Sequence, residues 1–176
     1  MSTKQKTIKQ EVSLKGVGLH TGKQATVTFK PADDNHGYVF QRVDIEGKPT
    51  IKADCDLVID TSRGTTLEQN GARVHTTEHL LAAAYGLEID NLLIEIDGPE
   101  VPILDGSAHF FVQALQDAGI VDQETEKDYF VVDENLTYED LERETEMLAV
   151  PQDEFRLTVM VDYNSKVLGT QHAHMY

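Results

Sequence analysis

One segment, His75–Leu87, limits the fold of this chain more than any other, because it is helix-forming and carries polar groups mainly at its start. It reads HTTEHLLAAAYGL, and Gly86 is a residue type that often follows the last turn of a helix. The preceding Asn70-Gly71 favours a type I′ turn between two strands, because both residue types adopt positive φ easily. Residues 91–96 follow it as an apolar run typical of a buried strand. The pattern therefore predicts a short helix set between strands of a sheet.

The rest of the pattern predicts a two-layer α/β sandwich of the α+β class. Alternating apolar and polar residues, typical of half-buried strands, occupy residues 7–14, 25–30 and 38–43, and residues 51–59 are expected to be extended as well. A second helix is predicted over residues 109–118, with Ser107 as its cap and Gly119 after its end. Because strands precede and separate the two helices, we expect a mostly antiparallel sheet with both helices packed on one face.

The chain is expected to contain one complete domain and the start of another. In this interpretation residues 1–120 form the complete domain, residues 121–128 are a polar linker, and residues 129–176 begin a second domain of the same type that stops without a closing helix. Residues 129–132 and 155–161 are strand candidates there, whereas residues 138–147 fit either a charged helix or a solvated loop. An unfinished sheet edge favours dimerisation or disorder, so we expect one of the two.

Composition and charge exclude several classes of protein. The net charge of −16 argues against a nucleic-acid partner, because such a chain offers no face that neutralises phosphates. No stretch approaches the roughly 20 apolar residues of a membrane-spanning helix, and no apolar run follows the N-terminus as in a signal peptide. The single cysteine, Cys55, cannot form an internal disulfide and fits a reducing compartment. We therefore expect a cytoplasmic protein without a transmembrane segment.

Glu78 and His79 are the candidate chemical groups of the predicted helix. Adjacent helical residues diverge by about 100°, so one side chain can bind a metal while the other takes a proton from water. Ala83 excludes the zincin motif, which needs a histidine there. His75-x-x-Glu78-His79 matches the inverted zincin motif of some metallopeptidases, but that motif requires His75 within the helix, and strand alternation places it outside. A third alternative is a non-catalytic binding module, in which Glu78 only complements the helix dipole.

Five stretches together resemble the UDP-3-O-acyl-N-acetylglucosamine deacetylases, the zinc amidases of lipid A biosynthesis in Gram-negative bacteria. They are Gly16–Gly22, Asp60-Thr61, Thr77–Leu80, Gly86–Asn91 and Pro99–Ala108. They occur in the order and spacing of that family across nearly all of residues 6–120. Each motif alone is modest, but five in order are specific.

The resemblance implies two α/β domains of similar topology with the active site between them, and one zinc ion bound by two histidines and an aspartate. His79 corresponds to the first histidine ligand, and Glu78 corresponds to the general base. The other two ligands belong to an H-x-x-x-D motif of the second domain, which does not occur after residue 128. The full-length enzyme would hydrolyse the N-acetyl group of UDP-3-O-acyl-N-acetylglucosamine, whereas this chain, with one ligand of three, is expected to be inactive.

The resemblance also suggests residues that contact the substrate, a small nucleotide-sugar lipid precursor. His20 lies in a glycine-rich loop that could approach the mouth of the active site. Thr61, Ser62, Arg63 and Gly64 follow Asp60 where the first domain of the family lines its substrate groove. Asp105 could orient His79, as metal-bound histidines usually require, or could belong only to a helix cap and a tight turn.

Overall fold

A five-stranded sheet organises the first of two units into which the chain divides after Lys127. The computed structural model describes residues 3–175. The strands of the first unit are β1 (Lys4–Ile8), β2 (Val12–Val17), β3 (Gln24–Pro31), β4 (Tyr38–Arg42), β5 (Thr50–Lys52), β6 (Val58–Asp60), β7 (Thr66–Gln69), β8 (Ala72–Val74), β9 (Leu92–Ile96) and β10 (Ile120–Glu126). The main sheet has the order β2-β3-β9-β4-β5. Its β4–β9 pair is parallel, and its other pairs are antiparallel.

Strand β9 lies at the centre of this sheet, as its apolar sequence predicts. Leu92, Ile94 and Ile96 are fully buried, while the residues between them are less so. This alternation arises because successive side chains of a strand point to opposite faces. The core of the unit therefore lies mainly on one face of β9.

Two helices complete the first unit, α1 (Glu78–Gly86) and α2 (His109–Asp117). Each buries residues at helical spacing: Leu80, Ala83 and Ala84 in α1, and Phe111, Ala114 and Leu115 in α2. The ring of Phe111 packs edge-on against Phe29 of β3, with 6.4 Å between centroids. The predicted α+β class is confirmed. No helix within residues 3–175 is both long and apolar enough to cross a membrane.

The end of α1 differs from its prediction. Gly86 is the last helical residue instead of the residue beyond the helix, and the left-handed conformation falls on Glu88, with φ of 56°. The amide of Ile89 donates to the carbonyl oxygen of Ala84 at 3.1 Å, and the amide of Glu88 donates to that of Tyr85 at 2.9 Å. The helix therefore ends in a local Schellman-type motif in which Glu88 takes the position usually occupied by glycine.

A hairpin leads into α1, and this prediction is confirmed. Strands β7 and β8 pair antiparallel within a three-stranded sheet with β6. Asn70 and Gly71 connect them with φ of 54° and 74°, the two positive values that a type I′ turn needs.

The polar segment predicted as a linker over residues 121–128 is a strand for most of its length, so that prediction is wrong. Strand β10 pairs antiparallel with β1, with Ile8 opposite Ile120 and Lys6 opposite Asp122. The segment is polar because this two-stranded ribbon is half exposed. Its backbone groups form hydrogen bonds with those of β1.

The second unit, from Asp128 onward, consists of two antiparallel hairpins. They are formed by β11 (Leu136–Asp140) with β12 (Thr145–Ala149), and by β13 (Leu157–Asp162) with β14 (Thr170–Met175). The strand predicted over residues 155–161 is confirmed in its main part. Residues 138–147 form a hairpin, not a helix or loop, and residues 129–132 are not a strand. Likeness of this unit to the first, and dimerisation through it, remain predictions.

Candidate active site

The start of α1 presents an imidazole and a carboxylate to solvent. Glu78 and His79 are the first two residues of the helix, and their side chains are 38% and 32% exposed. Thr77 is the N-cap residue, but its side chain does not cap the helix. Its amide and hydroxyl both donate to the carbonyl oxygen of Thr65, each at 3.2 Å. The threonine thus ties the helix to the strand β7 region instead of closing the first turn.

The carboxylate of Glu78 is fixed by one backbone donor. Its Oε2 accepts a hydrogen bond from the amide of Thr65 at 2.8 Å, and its Oε1 lies 3.9 Å from Nε2 of His79. A partly exposed carboxylate beside a partly exposed imidazole can take a proton from water while the imidazole binds a cation.

Gly64 lies directly against this carboxylate. A Cβ atom on Gly64 would come within 3.0 Å of Oε1 of Glu78, and the φ of Gly64 is +145°. The backbone conformation favours glycine, and a larger residue would displace the carboxylate of Glu78. The sequence predicted this residue as part of a substrate groove, and the structure places it beside the proposed base.

The glycine-rich loop and the segment after β6 contact each other. Nε2 of His20 lies 2.7 Å from the carbonyl oxygen of Arg63. Together they border an open depression of about 180 Å³. It is lined by His20, Thr21, Asp60, Arg63, Gly64, Thr66, His75 and Thr76.

Thr61 and Ser62 belong to an exposed turn next to this depression. The amide of Ser62 donates to Oδ1 of Asp60 at 2.9 Å. Hydrogen bonding from Ser62 holds the pKa of Asp60 below its ordinary value. The side chain of Asp60 therefore keeps its negative charge at the edge of the depression.

His75 lies outside α1, which removes the geometry of the inverted zincin motif. It follows β8, its amide donates to the carbonyl oxygen of Pro99 at 2.9 Å, and its Nδ1 lies 3.0 Å from the hydroxyl of Thr66. His75 and His79 thus do not share one helical face, and the metallopeptidase alternative loses its structural basis.

Asp105 takes part in a local turn before α2. Its Oδ1 accepts from the amide and hydroxyl of Ser107 at 3.0 and 2.9 Å, and these bonds lower its pKa. The Ser107 hydroxyl in turn accepts from the amide of His109 at 3.1 Å. Within residues 3–175 both side-chain hydrogen bonds of Asp105 are with Ser107. The N-cap residue of α2 is Ala108 and not the predicted Ser107, which lies one residue earlier.

Glu100 is a buried residue of this region to which sequence reasoning gave no role. It is 1% exposed, and its carboxylate accepts from the amides of His20 and Thr21 and from the hydroxyl of Thr76. The signal available in the sequence was a glutamate between two prolines in a motif stretch, with Gly18 in the loop that it meets. Neither Glu100 nor Gly18 shows, from the sequence alone, which residue it contacts.

The described residues supply part of a metal site. Within residues 3–175, one group of three potential metal ligands has its ligand atoms within 4.8 Å of one another, and it consists of the exposed Asp54, Cys55 and Asp56. Asp54 in this group also caps a short 3-10 helix (Cys55–Leu57). Glu78 and His79 are outside that group. An exposed imidazole with a carboxylate beside it fits the donor chemistry of a catalytic zinc site, in which His79 would be one ligand of several.

A partly exposed imidazole and an oriented carboxylate at a helix start are compatible with the class of metal-dependent hydrolases. The sequence model of the family LpxC: UDP-3-O-acyl N-acetylglycosamine deacetylase matches residues 5–176, and the chain belongs to this family. The predicted resemblance is therefore confirmed.

Relatives of two kinds share this similarity. The bifunctional enzyme LpxC/FabZ of Chlorobaculum tepidum is 51% identical over 172 residues, which cover 98% of this chain and 37% of that protein. The UDP-3-O-acyl-N-acetylglucosamine deacetylases of Myxococcus xanthus and Tolumonas auensis are 42% and 39% identical, over 97% and 98% of this chain and 54% and 56% of their own lengths. The chain thus spans between about a third and just over half of these relatives.

Proposed function

We propose that the full-length protein is a zinc-dependent deacetylase that removes the N-acetyl group of UDP-3-O-acyl-N-acetylglucosamine in lipid A biosynthesis. Family membership and the names of the relatives support this reaction. The observation that carries it is the Glu78 carboxylate, oriented by the amide of Thr65 beside the imidazole of His79.

His79 would hold the metal together with ligands from outside the described residues. Zinc, when bound, supplies Lewis acidity that polarises the acetyl carbonyl and lowers the pKa of a water molecule. This role requires an imidazole that is open to solvent, and His79 has a side chain about one-third exposed.

Glu78 acts as the general base in this proposal. The water oxygen forms a bond to the acetyl carbon while one of its protons passes to the Glu78 carboxylate. The carbon–nitrogen bond then breaks, and the amine nitrogen gains the proton that Glu78 accepted. The acetic acid loses the second proton of the water, which the amine also takes up. The products are acetate and the protonated amine of the UDP-linked sugar, so atoms and charge balance.

The depression bordered by His20 and Arg63 would receive part of the nucleotide sugar. His20, Thr61, Ser62, Arg63 and Gly64 surround it or its edge. The reaction would take place in the cytoplasm, in line with the sequence prediction.

The test compares the full-length protein with Glu78→Gln and His79→Ala, using Glu95→Gln and His36→Ala as matched controls. Glu95 pairs with Lys30 on the sheet, and His36 lies in a turn. Released acetate and bound zinc are measured for each. We expect His79→Ala to lose zinc, and Glu78→Gln to keep zinc while its rate falls about 10²- to 10⁴-fold.

Two outcomes would contradict the proposal. A zinc-loaded wild-type protein that releases no acetate would reject the reaction. Full zinc content and full activity in His79→Ala would reject the assigned ligand. The 176-residue chain alone should show no hydrolysis, because it brings one of the expected ligands.

A further inference from the structure

Thr76 has a backbone conformation that β-branched residues rarely adopt. Its φ is +58°, in the left-handed region, and it is buried at 3% exposure. It stands two residues before Glu78 in the chain. Such a conformation persists only where surrounding contacts impose it.

The contacts that accompany this conformation involve the preceding residue, His75, and the side chain of Thr76 itself. The amide of His75 donates to Pro99, and the amide of Val101 donates to the carbonyl oxygen of His75 at 3.1 Å. The hydroxyl of Thr76 donates to Oε1 of Glu100 at 3.0 Å. The backbone turn into α1 is therefore fixed by the segment that carries Glu100.

The same carboxylate holds the glycine-rich loop. Its oxygens accept from the amide of His20 at 3.0 Å and from the amide of Thr21 at 2.7 Å. A Cβ atom on Gly18 would lie 2.4 Å from Oε2 of Glu100, so the loop can approach this closely only with glycine there.

Glu100 remains charged in this buried position. Burial raises its pKa, but the hydrogen bonds from His20, Thr21 and Thr76 outweigh burial and place the pKa below its ordinary value. Hydrogen bonds to a charged acceptor are roughly twice as strong as neutral ones. One carboxylate therefore anchors two segments firmly.

We infer that Glu100 is a positioning residue that couples the Glu78 base to the substrate loop of His20. Through Thr76 it sets the start of α1, and through two amides it sets the loop that borders the depression. This role rests on the proposed function, because both segments are assigned there to catalysis and substrate binding.

Variants of the full-length protein can distinguish the effect of Glu100 on the start of α1 from its effect on the glycine-rich loop. Thr76→Val removes the hydroxyl and keeps the shape, so we expect kcat to fall about 10-fold with KM little changed. Glu100→Gln places an amide group against backbone amides that need an acceptor. We expect its kcat to fall about 100-fold and its KM to rise, because base and loop both move. Thr76→Ser keeps the hydroxyl, so its kcat should exceed that of Thr76→Val.

Hydrogen exchange provides a reading that does not depend on activity. Glu100→Gln should speed amide exchange in residues 18–23 and in residues 76–79, whereas Thr76→Val should do so only in residues 76–79. Bound zinc should stay at the wild-type level in each variant, and Glu95→Gln should match wild type throughout.

The inference is overturned if Glu100→Gln has a lower melting temperature but wild-type kcat and KM. If Glu100→Gln does not fold, equal kcat for Thr76→Val and Thr76→Ser overturns it instead. An inactive wild-type enzyme rejects the proposed function, which is a distinct result from an active wild type with unaffected variants.

Discussion

The amide of Thr65 donates to the carboxylate of Glu78, and the carbonyl oxygen of Thr65 accepts from Thr77. The backbone of one residue therefore hydrogen-bonds to both the N-cap residue and the first residue of α1. Thr65 is 13 positions before Glu78 in the chain. The direction of the proposed base is therefore decided by the segment after β6, and not by the helix alone. Changes in that segment should affect activity without touching Glu78.

Gly64→Ala should lower both activity and stability. The new Cβ would lie 3.0 Å from Oε1 of Glu78, and the alanine would have to adopt an unfavourable φ. We expect kcat of the full-length enzyme to fall about 10-fold or more and the free energy of unfolding to fall by about 1–2 kcal/mol. Gly47→Ala is the matched control, since Gly47 has φ of +77° and no atom near its Cβ position. Equal kcat for the two variants would contradict this prediction.

The stability contribution of Glu100 should depend on pH. Its pKa in the folded state lies below the ordinary value of 4.5, so its contribution is complete above pH 4.5 and is lost as the pH falls through the folded-state pKa. Urea unfolding should show Glu100→Gln to be about 2 kcal/mol less stable than wild type near pH 7. This difference should narrow in acid, as Glu100 becomes protonated in wild type.

The control for this titration is Gly86→Ala, which changes no ionisable group. Its difference in unfolding free energy from wild type should be the same at every pH. A constant difference for Glu100→Gln would mean that Glu100 is not ionised in the folded protein.

Gly86→Ala should itself stabilise the protein. Gly86 is helical, has no positive φ, and has open space around its Cβ position. Alanine at such a site raises the free energy of unfolding by about 0.5–1 kcal/mol. Gly71→Ala, at φ of +74° in the hairpin turn, should lower it by about 1 kcal/mol. Denaturant midpoints measure both, and a loss of stability in Gly86→Ala would contradict the prediction.

His75→Ala should keep the metal. Its Nδ1 lies near the hydroxyl of Thr66, and the residue is outside the helix that carries His79. We expect wild-type zinc content in the full-length protein and a loss of about 1 kcal/mol in stability from the broken hydrogen bond. Measuring the bound zinc in His75→Ala and in His79→Ala shows which of the two histidines binds the metal. Loss of zinc in both would return the metallopeptidase hypothesis to consideration.

Local sequence predicted the features that local physics decides. The Asn70-Gly71 turn, the exclusion of His75 from the helix and the buried character of β9 each depend on neighbouring residues, and the structure agrees with all three. These features also place Glu78 and His79 at a helix start.

Contacts between distant residues could not be predicted in this way. Thr76 and Glu100 are 24 positions apart, and neither the left-handed Thr76 nor the carboxylate it meets has a local signature. The segment 121–126 reads as a linker because its partner strand, β1, lies at the other end of the unit. Polarity there reflects a half-exposed ribbon, which composition cannot distinguish from a loop.

The pairing of β1 with β10 has a consequence for biosynthesis. Lys4 lies opposite Glu126, so β1 acquires its partner strand only after more than 100 further residues have been translated. At a synthesis rate of roughly 5–20 residues per second, the backbone groups of β1 remain without their partner strand for several seconds or longer. The main sheet, whose strands end at Ile96, can assemble during that interval. Closure of the β1–β10 ribbon would then be the last event in folding of the first unit, with a rate set by translation.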